Sequence, residues 1–147
     1  MKDFRVGAFA VIFDDRDRVF LCLREDLDIW NLPSGGTEQG EPPWTTVVRE
    51  VREETGLDVR VERLSGVYWR PEQTEVNLAF VCRVVGGLLI RTWEAVETGY
   101  FPPDEIPERT AARHVDRVRD ALEHPDETVM KTQFGVSWWE SVEQGGG

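Results

Sequence analysis

Cysteine is scarce in this chain of 147 residues, and histidine equally so, with two of each. Cys22 and Cys82 each lie in an apolar, strand-like run, away from any CxxC or Cys/His cluster. That argues against a zinc site and reads as two buried free thiols. His114 and His124 fall late in the chain with no partner motif, which fits structural or exposed residues. No apolar run approaches the length of a membrane span. The N-terminus, MKDFRVGAFAVIF, lacks a signal peptide's order of basic, apolar and small segments, so a cytoplasmic location is expected. Basic residues are outnumbered, 17 against 28 acidic, for a formal charge of −11. A sequence-independent grip on a nucleic-acid polymer needs the opposite balance. Internal repeats and domain linkers are also lacking. One domain over residues 1–143 is expected, with a frayed tail at 144–147.

What is present is strand-rich. Phe4 to Phe13 is apolar, Asp14-Asp15-Arg16-Asp17 signals a turn, and Arg18 to Arg24 resumes, so the pair reads as a hairpin. Asp26 to Pro33 reads as a loop. Leu57 to Trp69 and Glu75 to Val85 are strand-like, and Arg70-Pro71-Glu72-Gln73 turns between them. Leu88 to Trp93 and Glu97 to Phe101 read as two shorter strands. Val115, Val118 and Leu122 recur at helical period among Arg and Asp, predicting a helix from Thr110 to Glu123. Val129, Met130, Phe134, Val136, Trp138 and Trp139 are too apolar for a free extension. They should pack on the domain or on a second subunit, which leaves a homodimer open. Strands with one central and one late helix imply an α/β or α+β sandwich, its sheet covered on both faces.

The chain is organised around Gly35 to Leu57, GGTEQGEPPWTTVVREVREETGL. Pro42-Pro43 suits the first turn of a helix, and Gly56 suits its C′ end. On that helix Glu50, Glu53 and Glu54 share one face. Trp44, Val47, Val48, Val51 and Thr55 form a stripe beside them that can face a core. Arg49 precedes Glu53 by one turn and can hold it. Gly35 and Gly36 would let the backbone take positive φ and approach a ligand, or would simply make a tight turn. A charged helix stripe alone describes a solvated face. Three carboxylates together also describe a seat for Mg²⁺ or Mn²⁺, which prefer oxygen ligands.

The whole string resembles the Nudix box, Gly-x5-Glu-x7-Arg-Glu-U-x-Glu-Glu-x-Gly-U, where U is aliphatic. Gly35, Glu41, Arg49, Glu50, Val51, Glu53, Glu54, Gly56 and Leu57 fill its fixed positions. Ser34 stands where a third glycine is common and Thr46 where alanine is usual, departures that touch loop shape rather than ligands. The resemblance implies a Nudix-type α-β-α sandwich with a central mixed β-sheet between helices. It also implies metal-dependent hydrolysis of a diphosphate linkage in a nucleoside diphosphate derivative, whether a nucleotide sugar, a nucleoside triphosphate or a dinucleotide. Glu41, Glu50, Glu53 and Glu54 would then hold Mg²⁺ or Mn²⁺, with Glu53 and Glu54 catalytic and Arg49 orienting them.

A metal-bound carboxylate is a poor proton acceptor, so a further carboxylate is expected outside the box. Glu94 and Glu97 are the candidates, and the loop-like setting favours Glu94. For the small nucleotide substrate, Arg24 and Arg70 can meet phosphate oxygens, Gly35 and Gly36 can line the path, and Trp30 can stack a base. Strand-end arginines are also often solvated, and aromatics such as Trp30, Tyr68, Trp69 and Trp93 are also often core. Pro71 resembles a position of the ADP-ribose subgroup, but its turn lacks the fuller motif. The alternative is a non-catalytic Nudix module that senses nucleotides or binds a partner; such modules tend to lose the box carboxylates that this chain keeps.

Overall fold

The computed structural model describes residues 3–135. Its core is a five-stranded mixed sheet. Strand β1 (Arg5–Ile12) lies between β4 (Ser34–Gly36), to which it is antiparallel, and the central strand β6 (Glu75–Gly87), to which it is parallel. Strand β5 (Leu57–Arg70) pairs antiparallel with β6 and parallel with the edge strand β8 (Val129–Thr132). A second sheet sets β2 (Val19–Arg24) between β3 (Ile29–Asn31) and β7 (Glu97–Phe101). Helix α1 (Pro43–Thr55) and helix α2 (Ala112–Glu123) complete the described elements.

Alternation along the strands decides which helix each side chain meets. Ala8, Ala10 and Ile12 of β1 join Phe80 and Cys82 of β6 and Val47 and Val51 of α1 in one buried cluster. The intervening Val11, with Ala79 and Val81, joins Tyr68 and Val118 and Ala121 of α2 in the other. Helices therefore cover the sheet on both faces, as the periodicity and the box implied. Cys22 and Cys82 are buried free thiols. No helix among the described residues is long and apolar enough to cross a membrane.

Four expectations need correction. The chain does reverse at Asp14, whose carboxylate accepts from the Arg16 and Arg18 amides at 2.9 Å each. Its flanking strands do not stay paired, however; β1 and β2 part into different sheets, joined there by a single bridge from Phe13 to Val19. The expected loop at Asp26 to Pro33 contains β3, because Ile29 and Asn31 are buried against β2. Leu88 to Trp93 is not a strand: Leu88, Leu89 and Ile90 are exposed, and the segment instead caps the end of α1. Trp44 leaves the core stripe of α1 and is 59% exposed. Of the apolar tail residues, Val129 is half-buried in β8, while Met130 and Phe134 are exposed on this chain. Val136, Trp138, Trp139 and the expected frayed tail at 144–147 lie outside the described residues.

Candidate active site

Helix α1 begins on Pro42 as N-cap with Pro43 at the first helical position, where a missing N–H costs nothing. It ends on Gly56 in the left-handed conformation, φ +80°. A side chain at Gly56 would also meet the Leu88 carbonyl. These two ends fix the rotation of the helix, with Val47 and Val51 inward and Arg49, Glu50 and Glu53 toward its open side.

Arg49 is the hub of that open side. Its Nε and Nη2 donate to the two oxygens of Glu41 at 2.7 and 3.0 Å. Its Nη1 donates to Glu50 at 2.9 Å and to Glu53 at 3.1 Å. The Thr46 hydroxyl donates to Glu41 at 2.6 Å, so this departure from the usual alanine anchors a box carboxylate. Hydrogen bonds from Arg49 first, then from Thr46, pull the Glu41 carboxyl down to about 2.

Glu50 and Glu54, one helical turn apart, meet Glu94 from the loop before β7. One oxygen from each lies within 4.8 Å of the others. Glu54 is only 4% exposed. Burial first, then the charges of Glu94 and Glu50, push its carboxyl up to about 10, and it shares a hydrogen bond with Glu94. Burial also raises Glu50 despite the neighbouring Arg49 guanidinium. The other hydrogen-bond donor to Glu54 is the Ser34 amide, at 3.4 Å.

Three oxygen donors crowded around one point, two of them raised by burial, repel one another unless a cation or protons lie between them. The set fits a hard divalent cation such as Mg²⁺ or Mn²⁺.

The loop that brings Glu94 is stitched in place. Ile90 N donates to the Thr55 carbonyl at 2.8 Å, and the Thr92 hydroxyl donates to the Glu54 carbonyl at 2.7 Å. On its other side, Val96 N donates to the Leu23 carbonyl at 3.0 Å. Glu94 is thereby tied to both the helix and β2. Gly35 completes the arrangement for a reason of space: a Cβ there would lie 2.1 Å from the Glu50 carboxyl carbon. Neither Gly35 nor Gly36 takes positive φ; both sit in β4, which corrects the expected turn geometry.

The other expected residues are dispersed. Glu53, 57% exposed along its side chain, and Glu41 bind Arg49 and stand outside the close trio. Glu97 is exposed in β7, paired with Leu23. Trp30 packs edge-on against Phe101, and Arg24 pairs with Asp26 at 2.7 Å and lies over the Trp93 ring.

Beside the trio opens a cleft of about 410 Å³. Arg24, Gly35, Gly36 and Arg70 line it, and Ser34 joins it to Glu54. Arg113, His114 and Arg117 of α2 also line it, none of which sequence reasoning selected. The apolar period of α2 drew attention to Val115 and Leu122, yet both are only half-buried, while Arg113, His114 and Arg117 are buried. Their spacing along one helical face was the available signal.

The NUDIX domain family model matches residues 3–122. A MutT-like protein of Streptomyces ambofaciens is 37% identical over 118 residues, covering 80% of this chain and 77% of that protein. A putative 8-oxo-dGTP diphosphatase of Bacillus subtilis is 33% identical, covering 69% of this chain and 68% of its own length. Among solved structures, a NUDIX hydrolase from Nitrosomonas europaea superposes with a TM-score of 0.80 at 22% identity, covering 92% of this chain and 81% of that one. With a complete box, a family match over most of the chain, and relatives named as diphosphatases, the chain belongs to the Nudix family and is a hydrolase of phosphorus anhydrides.

Proposed function

We propose that the enzyme cleaves a diphosphate linkage in a small nucleoside diphosphate derivative, with Mg²⁺ or Mn²⁺ held by Glu50, Glu54 and Glu94. The observation that carries this reading is the meeting of three carboxylates behind Ser34 and Gly35, two residues that line an arginine-rich cleft. When bound, the metal neutralises phosphate oxygens and lowers the pKa of a coordinated water. The chain's own residues do the rest. Arg49 holds Glu50 and Glu53 in fixed rotamers and takes up their negative charge. Glu53 and Glu41, gathered on the same guanidinium, stand ready as further oxygen ligands. Glu94, on a loop tied to both α1 and β2, is the carboxylate best placed to accept a proton or complete the ligand set. Its exposed setting makes Glu97 the weaker candidate. Ser34, Gly35 and Gly36 present backbone along the path from cleft to trio, and Arg70 and Arg24 offer charge to phosphate oxygens.

The relatives' names differ in substrate. The Bacillus subtilis protein is named for 8-oxo-dGTP, and an archaeal relative, 36% identical over 95 residues, is named an ADP-ribose pyrophosphatase. A panel of nucleoside triphosphates, nucleotide sugars and dinucleotides with Mg²⁺ or Mn²⁺, read by product chromatography, tests the proposal. Turnover of at least one class that requires metal is expected; no turnover of any member contradicts it.

A further inference from the structure

The cleft is lined by five arginines, Arg5, Arg24, Arg70, Arg113 and Arg117, in a protein whose formal charge is −11. Among the described residues, Glu75 is the one carboxylate lining it. Two of the guanidinium groups are deeply buried and, among the described residues, hydrogen-bonded only to neutral acceptors. Arg117 is 1% exposed. Its Nε and Nη2 donate to the Gln133 side-chain oxygen at 3.1 and 2.9 Å, and Nη2 also donates to the Asn77 amide oxygen at 3.1 Å. Its Nη1 has no hydrogen-bond partner among the described residues, and the guanidinium lies over the rings of Phe9 and Tyr68. Arg70 is 5% exposed and donates to the backbone carbonyls of Gln133 and Gly135.

Buried charge of this kind is expensive unless an opposite charge meets it. The neighbourhood sharpens the point. Burial first, then Arg113 and Arg70, lower the Arg117 guanidinium to about 9. His114 is held neutral by burial, reinforced by Arg117, Arg113 and Arg70, and its Nδ1 accepts from the Leu32 amide at 3.0 Å. Arg113 and His114 also belong to the first turn of α2, where the helix dipole adds partial positive charge.

We propose that Arg70, Arg113 and Arg117 form an oxyanion subsite for a second phosphoryl group, carried by the substrate at the end remote from the scissile linkage. Resting on the hydrolytic reading above, this narrows the substrate class to phosphoanhydrides with an additional phosphomonoester. Geometry supports the assignment over a nucleobase pocket. Among the described residues, Phe9 is the one carbocyclic aromatic ring lining the cleft, its face covered by Arg117 and its ring meeting the His114 imidazole edge-to-face. Several planar guanidinium groups lining one cleft match the several oxygens of a phosphoryl group.

The test begins without metal or turnover. The full chain, stripped of divalent cations, is melted in rising inorganic phosphate against chloride at matched ionic strength. Saturable stabilisation by phosphate is expected. Its apparent affinity should fall at least about tenfold in Arg113→Gln, since charge-assisted hydrogen bonds are the strong ones. Arg5→Gln, at an exposed position lining the cleft, supplies a second variant that the fold tolerates, and should weaken the effect in the same direction. Arg109→Gln, outside the cleft, should keep it. Phosphate no better than chloride, or equal protection of all four proteins, overturns the subsite.

A second arm compares two nucleoside diphosphate derivatives, with Mg²⁺ present, that differ only in a remote phosphomonoester; a third carries a carboxylate there instead. The native enzyme should show the lowest KM for the phosphorylated member, with that advantage reduced in Arg113→Gln. Equal KM values for the three overturn the narrowed substrate class. Because the phosphate arm needs no catalysis, its outcome is separate from that of the hydrolytic reading.

Discussion

The carboxylates of Glu54 and Glu94 share a hydrogen bond, although one sits on α1 and the other on the loop before β7. Two such groups in contact cannot both be ionised cheaply in a buried site. If Glu94 is a metal ligand, Glu94→Gln should raise the metal concentration needed for half-maximal rate by roughly tenfold or more. If it is the proton acceptor, kcat should fall at saturating metal and the acidic limb of the pH profile should vanish. Titrating Mg²⁺ at several pH values separates the two roles, and a variant matching the parent in all respects removes Glu94 from the site.

Gly35 is required by space rather than by backbone freedom. Gly35→Ala places a methyl group where the Glu50 side chain lies, so Glu50 must leave its position. The expected result is a weakened metal response and a kcat reduced by about tenfold or more, with a stability loss of only ~1–3 kcal/mol because Glu50 can swing away. Gly36→Ala, where a Cβ meets nothing within 4 Å, is the matched comparison and should change far less. Calorimetry and metal-dependent kinetics on both variants check this.

His114 gives a pH dependence of known sign. Burial holds its native pKa well below 6.5, whereas the unfolded chain titrates near that value. Below pH 6.5 the unfolded state therefore binds the additional proton. The stability that His114 contributes is fully present above that pH and is lost as pH falls toward the native pKa, at up to ~1.4 kcal/mol per pH unit. Denaturant melts between pH 7.5 and 5 should show this slope. His114→Asn should flatten it, and an unchanged slope would refute the assignment.

Tyr68 has no exposure and donates its hydroxyl to Asp120 at 2.9 Å. Tyr68→Phe leaves a buried carboxylate oxygen with one donor fewer, although Lys131 still pairs with it. A loss of ~1–3 kcal/mol in urea unfolding is expected.

The parts of the fold that could be read from sequence are those governed by local pattern. Apolar, strand-like runs located β1 and β6, alternation of Val59 and Val61 with charged residues located β5, and the prolines and Gly56 bracketed α1 within a residue. The parting of β1 and β2 was hidden because a turn signal at Asp14 reports chain reversal, not partner choice. In the site, the one-turn spacing of Glu50 and Glu54 placed both on a single face, but the same rule grouped Glu53 with them, and Arg49 draws it outward. Glu94 could be favoured over Glu97 only for its loop-like setting, since the hydrogen bonds that pin its loop come from distant Leu23 and Glu54. Arg113 and Arg117 were passed over because charged residues on a late helix ordinarily face water. Only the tertiary packing of α2 on β1 and β5 shows that they do not.

Phosphoanhydride hydrolysis is proposed to depend on a divalent cation held by Glu50, Glu54 and Glu94, with Glu54 buried and the other two half-buried. Mn²⁺ binding to the native chain and to Glu54→Gln, followed by calorimetry and alongside kcat on the best substrate of the panel, tests it most directly. The expected result is saturable binding to the native protein, weakened at least about tenfold in the variant, with kcat down by orders of magnitude and the fold retained. Equal Mn²⁺ affinity and near-normal turnover in Glu54→Gln would contradict it.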